Sequence, residues 1–292
     1  MKRARTRIAR PGTRLSPTLT ALQLVDGNGY EPVYIVWHHE AWCPMACKVF
    51  ETHERAQHEA DILRGFAHPN VVRLMGVEQL GCHLMEFVDG RTLAGLIDTH
   101  PNGRLSVSDA IRMAIHVGAA LRAVHAGGYV HLDVKPDNVI VTRGGRPILF
   151  DFGTARPIDQ QRPDRVMGTD PYIAPEECAL GQVGAASDVS SLGVTLYECL
   201  AAKLPFAART KKRPFPQLED DPVPIREVRP RLKSDLCDVV MSALQRNPQR
   251  RPDLEAFLLS LHGFLESGPR MWPESFSPRK MTGAGARSFG RH

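Results

Sequence analysis

The first ninety residues of the chain alternate between short apolar runs and turn residues. This pattern is typical of an antiparallel sheet whose strands are joined by tight turns. It predicts five strands, at 22–25, 33–37, 45–50, 71–77 and 82–88. Between the third and fourth strands, Ala56, Ala60 and Leu63 recur at helical spacing, which predicts one helix over about 53–65.

Beyond residue 90 the pattern becomes helical. Ser108 is a favourable N-cap for a helix that we expect to end at Gly127. Further apolar patterns predict helices at 187–202, 235–245 and 252–266. The stretch from 203 to 234 carries six prolines and therefore predicts a long surface connection with at most a short helix.

Two short polar runs lie close together in this second part. The first reads H-L-D-V-K-P-D-N over 131–138, and the second reads D-F-G over 151–153. Apolar residues flank a turn at Gly144 and Gly145 between the runs, so we expect a hairpin whose ends bring the polar groups together. One lysine, one amide and two carboxylates would then converge, and these groups can place a hydroxyl, a phosphate and magnesium.

The two runs resemble the catalytic core of the eukaryotic-type Ser/Thr protein kinase family, and the chain looks most like its bacterial members. The resemblance covers about 19–265 and implies an α+β, bilobal protein-kinase-like fold. The expected parts are a small antiparallel β lobe with one helix over about 19–88 and a larger, mainly helical lobe over about 89–265. We expect a disordered basic N-terminal arm at 1–18 and a disordered tail at 266–292.

The resemblance assigns roles to four residues of these runs. It implies that Asp133 accepts the proton of the attacking hydroxyl and that Lys135 neutralises charge on the transferred phosphoryl group. It implies that Asn138 and Asp151 bind the metal, because Mg²⁺ prefers hard oxygen ligands. The implied cofactors are ATP and Mg²⁺, with Mn²⁺ as an alternative metal.

Lys48 matches the lysine that binds the α- and β-phosphates of ATP in this family. A lysine in such a position needs an anionic partner. Glu59 is the predicted partner, since it precedes Ile62 and Leu63 as the family's helix glutamate precedes its apolar pair. Glu51 and Glu54 remain alternatives.

The resemblance also implies a set of nucleotide-binding residues. Met85 matches the residue before the adenine-binding segment, and Ala46 and Ile140 match the residues that enclose the base. The full predicted set is Gly27, Gly29, Val33, Ala46, Lys48, Met85, Glu86, Val88 and Ile140. Pro32 occupies the third position of the glycine-rich loop, where it removes one backbone N–H, so we expect weakened ATP binding.

Leu132 is a second departure from the family pattern. Many members carry arginine between the histidine and the catalytic aspartate, where it binds a phosphorylated activation loop. Leucine cannot bind phosphate, and residues 155–168 contain no Ser, Thr or Tyr. We therefore expect no switching by phosphorylation of that stretch.

Three further matches support the resemblance. Thr169 lies in G-T-D-P-Y-I-A-P-E at 168–176, and we expect it to hydrogen-bond Asp133 and Lys135. Glu176 is expected to pair with Arg251. Asp188 matches the aspartate of the central helix that supports the catalytic loop. Together with Lys135, Thr169 favours Ser and Thr of proteins as acceptors over tyrosine.

The composition of the 292 residues is ordinary for a globular protein, and the net charge of +5 predicts no specific nucleic-acid role. The basic N-terminus can be read as a solvated arm, an electrostatic contact or a transit peptide. We expect no transmembrane segment and a cytoplasmic location with six free cysteines. The spacing of His38, His39, Cys43 and Cys47 is not a usual zinc pattern.

Two other functions stay open. Pro32 and Leu132 would suit a nucleotide-binding pseudokinase or scaffold with weak or no transfer. A kinase of a small molecule is a third reading, although the 168–176 segment, which shapes a peptide platform in the family, argues against it. The substrate, the upstream signal, the role of the tails and the oligomeric state cannot be read from the sequence.

Overall fold

The computed structural model of the chain describes residues 9–26, 31–78, 81–158, 166 and 168–265. The chain divides into two compact units, Met1–Asp89 and Gly90–His292. In the described residues, the first is a small antiparallel sheet with one helix, and the second is mainly helical. The predicted α+β fold class is therefore confirmed, with the boundary between units one residue from the predicted one.

The first unit contains a five-stranded antiparallel sheet in the order β1-β2-β3-β5-β4. Its strands are β1 (Leu19–Asp26), β2 (Val33–His38), β3 (Cys43–Val49), β4 (Leu74–Glu78) and β5 (Cys82–Glu86). Helix α1 (His53–Arg64) connects β3 to β4 and begins at the N-cap Thr52, whose side chain accepts from the N–H of Arg55. The five strands and the helix are those that the apolar pattern predicted.

The register of the sheet sorts side chains onto two faces. Ala46 lies opposite Ile35 and Met85, and Lys48 lies opposite Val33 and His83. Because opposite residues of paired strands share a face, these side chains lie together. The other face carries the apolar core of the unit, which comprises Leu19, Ala21, Tyr34, Val36, Met45, Cys47, Cys82 and Leu84.

Residues 9–18 differ from the disordered arm that the sequence predicted. The N–H of Gly12 donates to the carbonyl of Ala21 at 2.8 Å, and the N–H of Ala21 donates to Thr13 at 2.9 Å. Leu15 packs against the core of the sheet. This segment covers β1, an edge strand whose backbone groups would otherwise lack partners, which explains its order. Residues 1–8 and 266–292 lie outside the described residues.

The described part of the second unit contains seven helices. They are α2 (Leu93–Thr99), α3 (Val107–Ala126), α4 (Pro175–Cys178), α5 (Ala185–Ala201), α6 (Ile225–Val228), α7 (Ser234–Ala243) and α8 (Leu254–His262). The predicted N-cap of α3 was wrong: Ser106, not Ser108, accepts the N–H of Asp109 at 3.1 Å. Ser106 is the N-cap because its backbone is extended, with a ψ of 155°, whereas Ser108 already lies within the helix.

Short strands complete the second unit and hold the two polar runs. They are β6 (Gly90–Thr92), β7 (Tyr129–Val130), β8 (Val139–Thr142), β9 (Pro147–Leu149) and β10 (Arg156–Pro157). Strands β8 and β9 form the predicted hairpin, with Val139 opposite Leu149 and Gly145 in the turn at a φ of 82°. Residues 131–138 precede this hairpin and residues 151–153 follow it, so both runs lie at its open end.

Candidate active site

Asp133 lies at the centre of the contacts in the 131–138 run. Its side chain is buried, and its Oδ2 accepts from Lys135 Nζ at 2.8 Å and from Asn138 Nδ2 at 2.8 Å. Its Oδ1 is also buried but has no hydrogen-bond partner among the described residues. Since a buried carboxylate oxygen without a partner is costly, this atom is arranged to accept a proton or a hydrogen bond from a group that is bound there.

His131 connects the two polar runs. Its Nδ1 accepts from the N–H of Asp133 at 3.2 Å, and its ring meets the ring of Phe152 edge-on, with centroids 4.8 Å apart. Complete burial lowers the pKa of His131, although the carboxylates of Asp188, Asp133 and Asp151 act in the opposite direction. Three carboxylates therefore surround one neutral imidazole.

Asp188 of helix α5 fixes the backbone of the same run. Its carboxylate accepts from the N–H of His131 at 2.9 Å and from the N–H of Leu132 at 2.8 Å. His125, near the end of α3, also contacts it, with Nε2 2.7 Å from Oδ2. Burial raises the pKa of Asp188, but the hydrogen bond and charge of His125 outweigh that effect and lower it. The sequence predicted the support by Asp188 but missed His125, which no motif marks.

Asn138 and Asp151 are the predicted metal ligands. The side-chain amide nitrogen of Asn138 donates to the carbonyl oxygen and to Oδ2 of Asp133, at 2.9 and 2.8 Å. Its amide oxygen therefore points away from Asp133. Asp151 follows the hairpin with a φ of 63°, a left-handed conformation that a non-glycine residue adopts only when its surroundings fix it. An amide oxygen and a carboxylate are ligands that fit Mg²⁺. Among the described residues there is no cluster of three or more His, Cys, Asp or Glu side chains that could hold a metal.

The segment around Thr169 contacts the 131–138 run through Lys135. Lys135 Nζ donates to Thr169 Oγ1 as well as to Asp133 Oδ2. The predicted contact of Thr169 with Asp133 is thus indirect, with Lys135 between them. Gly168 has a φ of 85°, and a Cβ there would lie 2.7 Å from the carbonyl oxygen of Leu132. Only glycine lets the segment come this close.

The Glu176–Arg251 ion pair is present as the sequence predicted. Two parallel hydrogen bonds of 2.7 Å join the guanidinium to the carboxylate. Arg251 also donates to the carbonyl of Ala186 at 2.8 Å, which connects the pair to helix α5. A buried bidentate pair fixes the end of the 168–176 segment in one geometry.

Leu132 occupies an apolar site in the second unit. Its backbone is left-handed, with a φ of 63°, and its side chain is buried in a cluster with Val130 and Val183. Ile158, which lies in the stretch 155–168, packs against this cluster. An apolar contact therefore holds Ile158 at the position where many members of the resembled family carry an arginine that binds phosphate.

Lys48 and Glu59 form a buried pair in the first unit. Lys48 Nζ donates to Glu59 Oε2 at 2.7 Å, and only about 1% of the Glu59 side chain is exposed. Glu31, which precedes Pro32, lies near the same ammonium, at 4.0 Å, and its other oxygen lies 3.1 Å from Arg55 Nη1. The structure brings together the predicted pair and adds a second carboxylate, that of Glu31, beside it.

Comparison with known proteins identifies the family of this fold and site. Residues 27–261 match the family model described as protein kinase domain. The chain belongs to this family. The kinase domain is 30% identical to PknB of Mycobacterium leprae over 253 residues, which cover 81% of the chain and 40% of that protein.

Two other relatives show the same level of similarity. PknA of Mycobacterium tuberculosis is 30% identical over 262 residues, covering 83% of the chain and 60% of that protein. Pkn2 of Myxococcus xanthus is 30% identical over 251 residues, covering 79% of the chain and 30% of that protein. All three are named serine/threonine-protein kinases. The chain spans only 30 to 60% of the length of these relatives.

The predicted nucleotide-binding residues of the kinase domain lie in both units. Val33, Ala46 and Met85 share the face of the sheet that carries Lys48. The N–H of Glu86 donates to the carbonyl of Arg73 at 3.0 Å, so this donor is already used within the protein. Val88 is half-buried after β5, and Ile140 is half-buried in β8 of the second unit. Gly27 and Gly29 lie outside the described residues.

His83 is a buried residue of the kinase domain that the sequence analysis did not mark. It lies opposite Lys48 in the register, and its ring is 4.2 Å from the ring of Phe50. Burial lowers the pKa of His83 to about 4, and the charge of Lys48 adds to this effect. At neutral pH the imidazole is therefore uncharged and does not compete with Lys48 for anions.

Within the described residues, no helix is long and apolar enough to cross a membrane.

Proposed function

We propose that this kinase domain transfers the terminal phosphoryl group of ATP to Ser and Thr hydroxyls of proteins, with Mg²⁺ or Mn²⁺ as cofactor. One observation carries the proposal. Asp133 is held through Oδ2 by Lys135 and Asn138, while its buried Oδ1 lacks a partner among the described residues. A carboxylate held in this way is suited to orient a hydroxyl and accept its proton.

In the proposed step, the substrate hydroxyl oxygen forms a bond to the terminal phosphorus of ATP while the bond from that phosphorus to ADP breaks. Asp133 Oδ1 takes the hydroxyl proton. Lys135 lies 2.8 Å from Asp133 Oδ2, so its ammonium is placed to stabilise negative charge on the phosphoryl oxygens. The metal ion, held by Asn138 and Asp151, would supply electrostatic stabilisation of the phosphate charge.

Lys48 is the proposed contact to the α- and β-phosphates. Glu59 holds its ammonium at 2.7 Å and fixes its direction. Val33, Ala46 and Met85 lie on the same face and would pack against the base and sugar. Glu86 and Val88 would bind adenine through their remaining backbone groups.

We also propose that phosphorylation of residues 155–168 does not switch the enzyme. Leu132 carries no charge, and Ile158 packs against the apolar cluster that contains it. Apolar burial would then order the activation segment, where other family members use an arginine and a phosphate. Phosphatase treatment should leave the activity within about twofold, and a large loss traced to this segment would contradict the proposal.

We also propose that the protein is located in the cytoplasm. All six cysteines are free, and five of them are buried. Free thiols without disulfides are typical of a reducing compartment.

The proposed transfer is tested with labelled ATP, magnesium and a generic protein substrate. The chain should transfer label to Ser and Thr, and Lys48→Met should lower transfer at least a hundredfold without unfolding the chain. The alternative of a nucleotide-binding scaffold draws on Glu31, whose carboxylate lies 4.0 Å from Lys48. A thermal shift with ATP but no transfer at any substrate concentration would favour that alternative.

A further inference from the structure

A tight basic turn occupies residues 209–213 of the second unit. The N–H of Thr210 donates to the carbonyl of Arg213 at 2.9 Å, and the N–H of Arg213 donates back to Thr210 at 3.1 Å. These two bonds place Lys211 and Lys212 at the tip of the turn, where both side chains are exposed. We call residues 209–213 the basic turn.

The charges at the base of this turn are balanced, and those at its tip are not. Arg213 pairs with Glu219 at 2.9 Å and with Asp220 at 2.6 Å, which fixes the turn on the unit. Lys211 and Lys212 have no partner among the described residues. Two unpaired cations at a fixed place form a site for negative charge.

Contacts within the unit connect the basic turn to the proton acceptor. Arg209 Nε lies 3.7 Å from Asp170 Oδ2. Asp170 directly follows Thr169, whose hydroxyl accepts from Lys135, and Lys135 donates to Asp133 at 2.8 Å. The base of the basic turn, at Arg209, therefore lies beside the segment that contacts Asp133 through Lys135, near where the chain around an acceptor hydroxyl would lie.

We propose that the basic turn binds acidic residues of the protein substrate near the acceptor Ser or Thr, so that this kinase domain prefers acidic segments. The inference rests on the proposed transfer to protein hydroxyls and adds the substrate class. Charge complementarity of this kind raises encounter rates and suppresses oppositely charged partners.

The preference is confined to the part of the substrate that reaches the turn. Tyr172 lies two residues after Asp170, and its hydroxyl donates to Glu198 at 2.6 Å. Burial and the carboxylates of Glu198 and Asp137 raise the pKa of Tyr172. Acidic groups near Tyr172 would repel acidic substrate residues there. The negative charge of Asp170 is offset by Arg209.

An acidic peptide fits this turn better than nucleic acid does. Binding to a duplex rests mainly on lysines and arginines that neutralise phosphates, about 6–10 of them in a strongly salt-dependent complex. The turn offers two unpaired lysines, and its arginines already face carboxylates. Two lysines match the one or two carboxylates of a short acidic segment.

The test compares peptides that share one Thr acceptor and differ only in Glu or Gln at single flanking positions. The unaltered chain should phosphorylate the best Glu peptide with a kcat/KM about tenfold above that of its Gln partner. In the double variant Lys211→Glu, Lys212→Glu this ratio should fall to about one or below. The double variant Lys203→Glu, Lys233→Glu, an equal charge change at two exposed residues outside the turn, should keep the tenfold ratio.

Three outcomes would overturn the inference alone. A ratio near one in the unaltered chain would remove the substrate preference while leaving the proposed transfer intact. An unchanged ratio in the double variant would place the preference elsewhere. Loss of binding to a DNA duplex or to anionic vesicles in the double variant, with unchanged peptide ratios, would assign the turn to another partner. Absence of transfer to every peptide would instead overturn the proposed function together with the inference.

Discussion

The N–H of Leu132 donates to Oδ1 of Asp188 at 2.8 Å. The same carboxylate accepts from His131 and contacts His125, so three parts of the second unit meet at one buried aspartate. Leu132 holds a left-handed conformation here, with a φ of 63°. Because Asp133 is the next residue, the position of its carboxylate depends on this contact.

Replacing Asp188 with alanine should therefore destabilise the kinase domain. The change leaves two buried N–H groups unpaired, and each such group costs about 1–3 kcal/mol. We expect the free energy of unfolding, measured with urea, to fall by roughly 3–5 kcal/mol. Asp235→Ala, which removes an exposed carboxylate, should cost less than about 1 kcal/mol. Equal effects of the two variants would show that Asp188 does not hold the loop.

Glu31 should weaken ATP binding through its proximity to Lys48. The two charged groups are 4.0 Å apart, so the carboxylate competes with phosphate for the ammonium. We expect Glu31→Gln to tighten the dissociation constant for ATP about threefold, as measured by calorimetry. Glu40→Gln, an exposed change in the turn after β2, serves as the control. Weaker binding in Glu31→Gln would mean that this carboxylate helps to position Lys48.

Glu177 should make the stability of the chain fall as the pH rises. Its side chain is buried, and burial raises its pKa to about 8, although Arg156 acts in the opposite direction. The folded state holds the proton more tightly than the unfolded state, whose pKa is near 4.5, so stability is lost between about pH 4.5 and 8.

The isosteric variant Glu177→Gln removes this titration. The free energy of unfolding of Glu177→Gln minus that of the unaltered chain should increase as the pH rises. The increase should reach up to the order of 4 kcal/mol at pH 8 and above. Glu255→Gln, at an exposed position of α8, should follow the unaltered chain at every pH. A difference between Glu177→Gln and the unaltered chain that stays constant from pH 5 to pH 9 would contradict the raised pKa.

The fold was largely predictable because its pattern is local. Short apolar runs between turn residues mark β2, β3 and β5, and the turn at Gly145 marks the β8–β9 hairpin. The order of residues 9–18 was not predictable, since it depends on backbone bonds to β1 rather than on apolar residues. The cap at Ser106 was missed because Ser108 offers the same side chain two residues later.

Only those residues of the candidate site that belong to sequence motifs could be predicted. Asp133, Lys135, Asn138 and Asp151 lie in two short runs with recognisable spacing. His125 and Asp188 are 63 residues apart and meet only in the folded unit. The basic turn is visible as a charged run, but its place beside Asp170 follows from the fold alone.

The central claim is that Asp133 accepts the proton of a protein hydroxyl. The most direct measurement is the rate of phosphoryl transfer from labelled ATP by Asp133→Asn beside Asp137→Asn, an exposed carboxylate in the same run. An amide cannot take the proton, so we expect kcat to fall at least a hundredfold in Asp133→Asn. Asp137→Asn should stay within about threefold of the unaltered chain. Equal rates in the unaltered chain and Asp133→Asn would contradict the account.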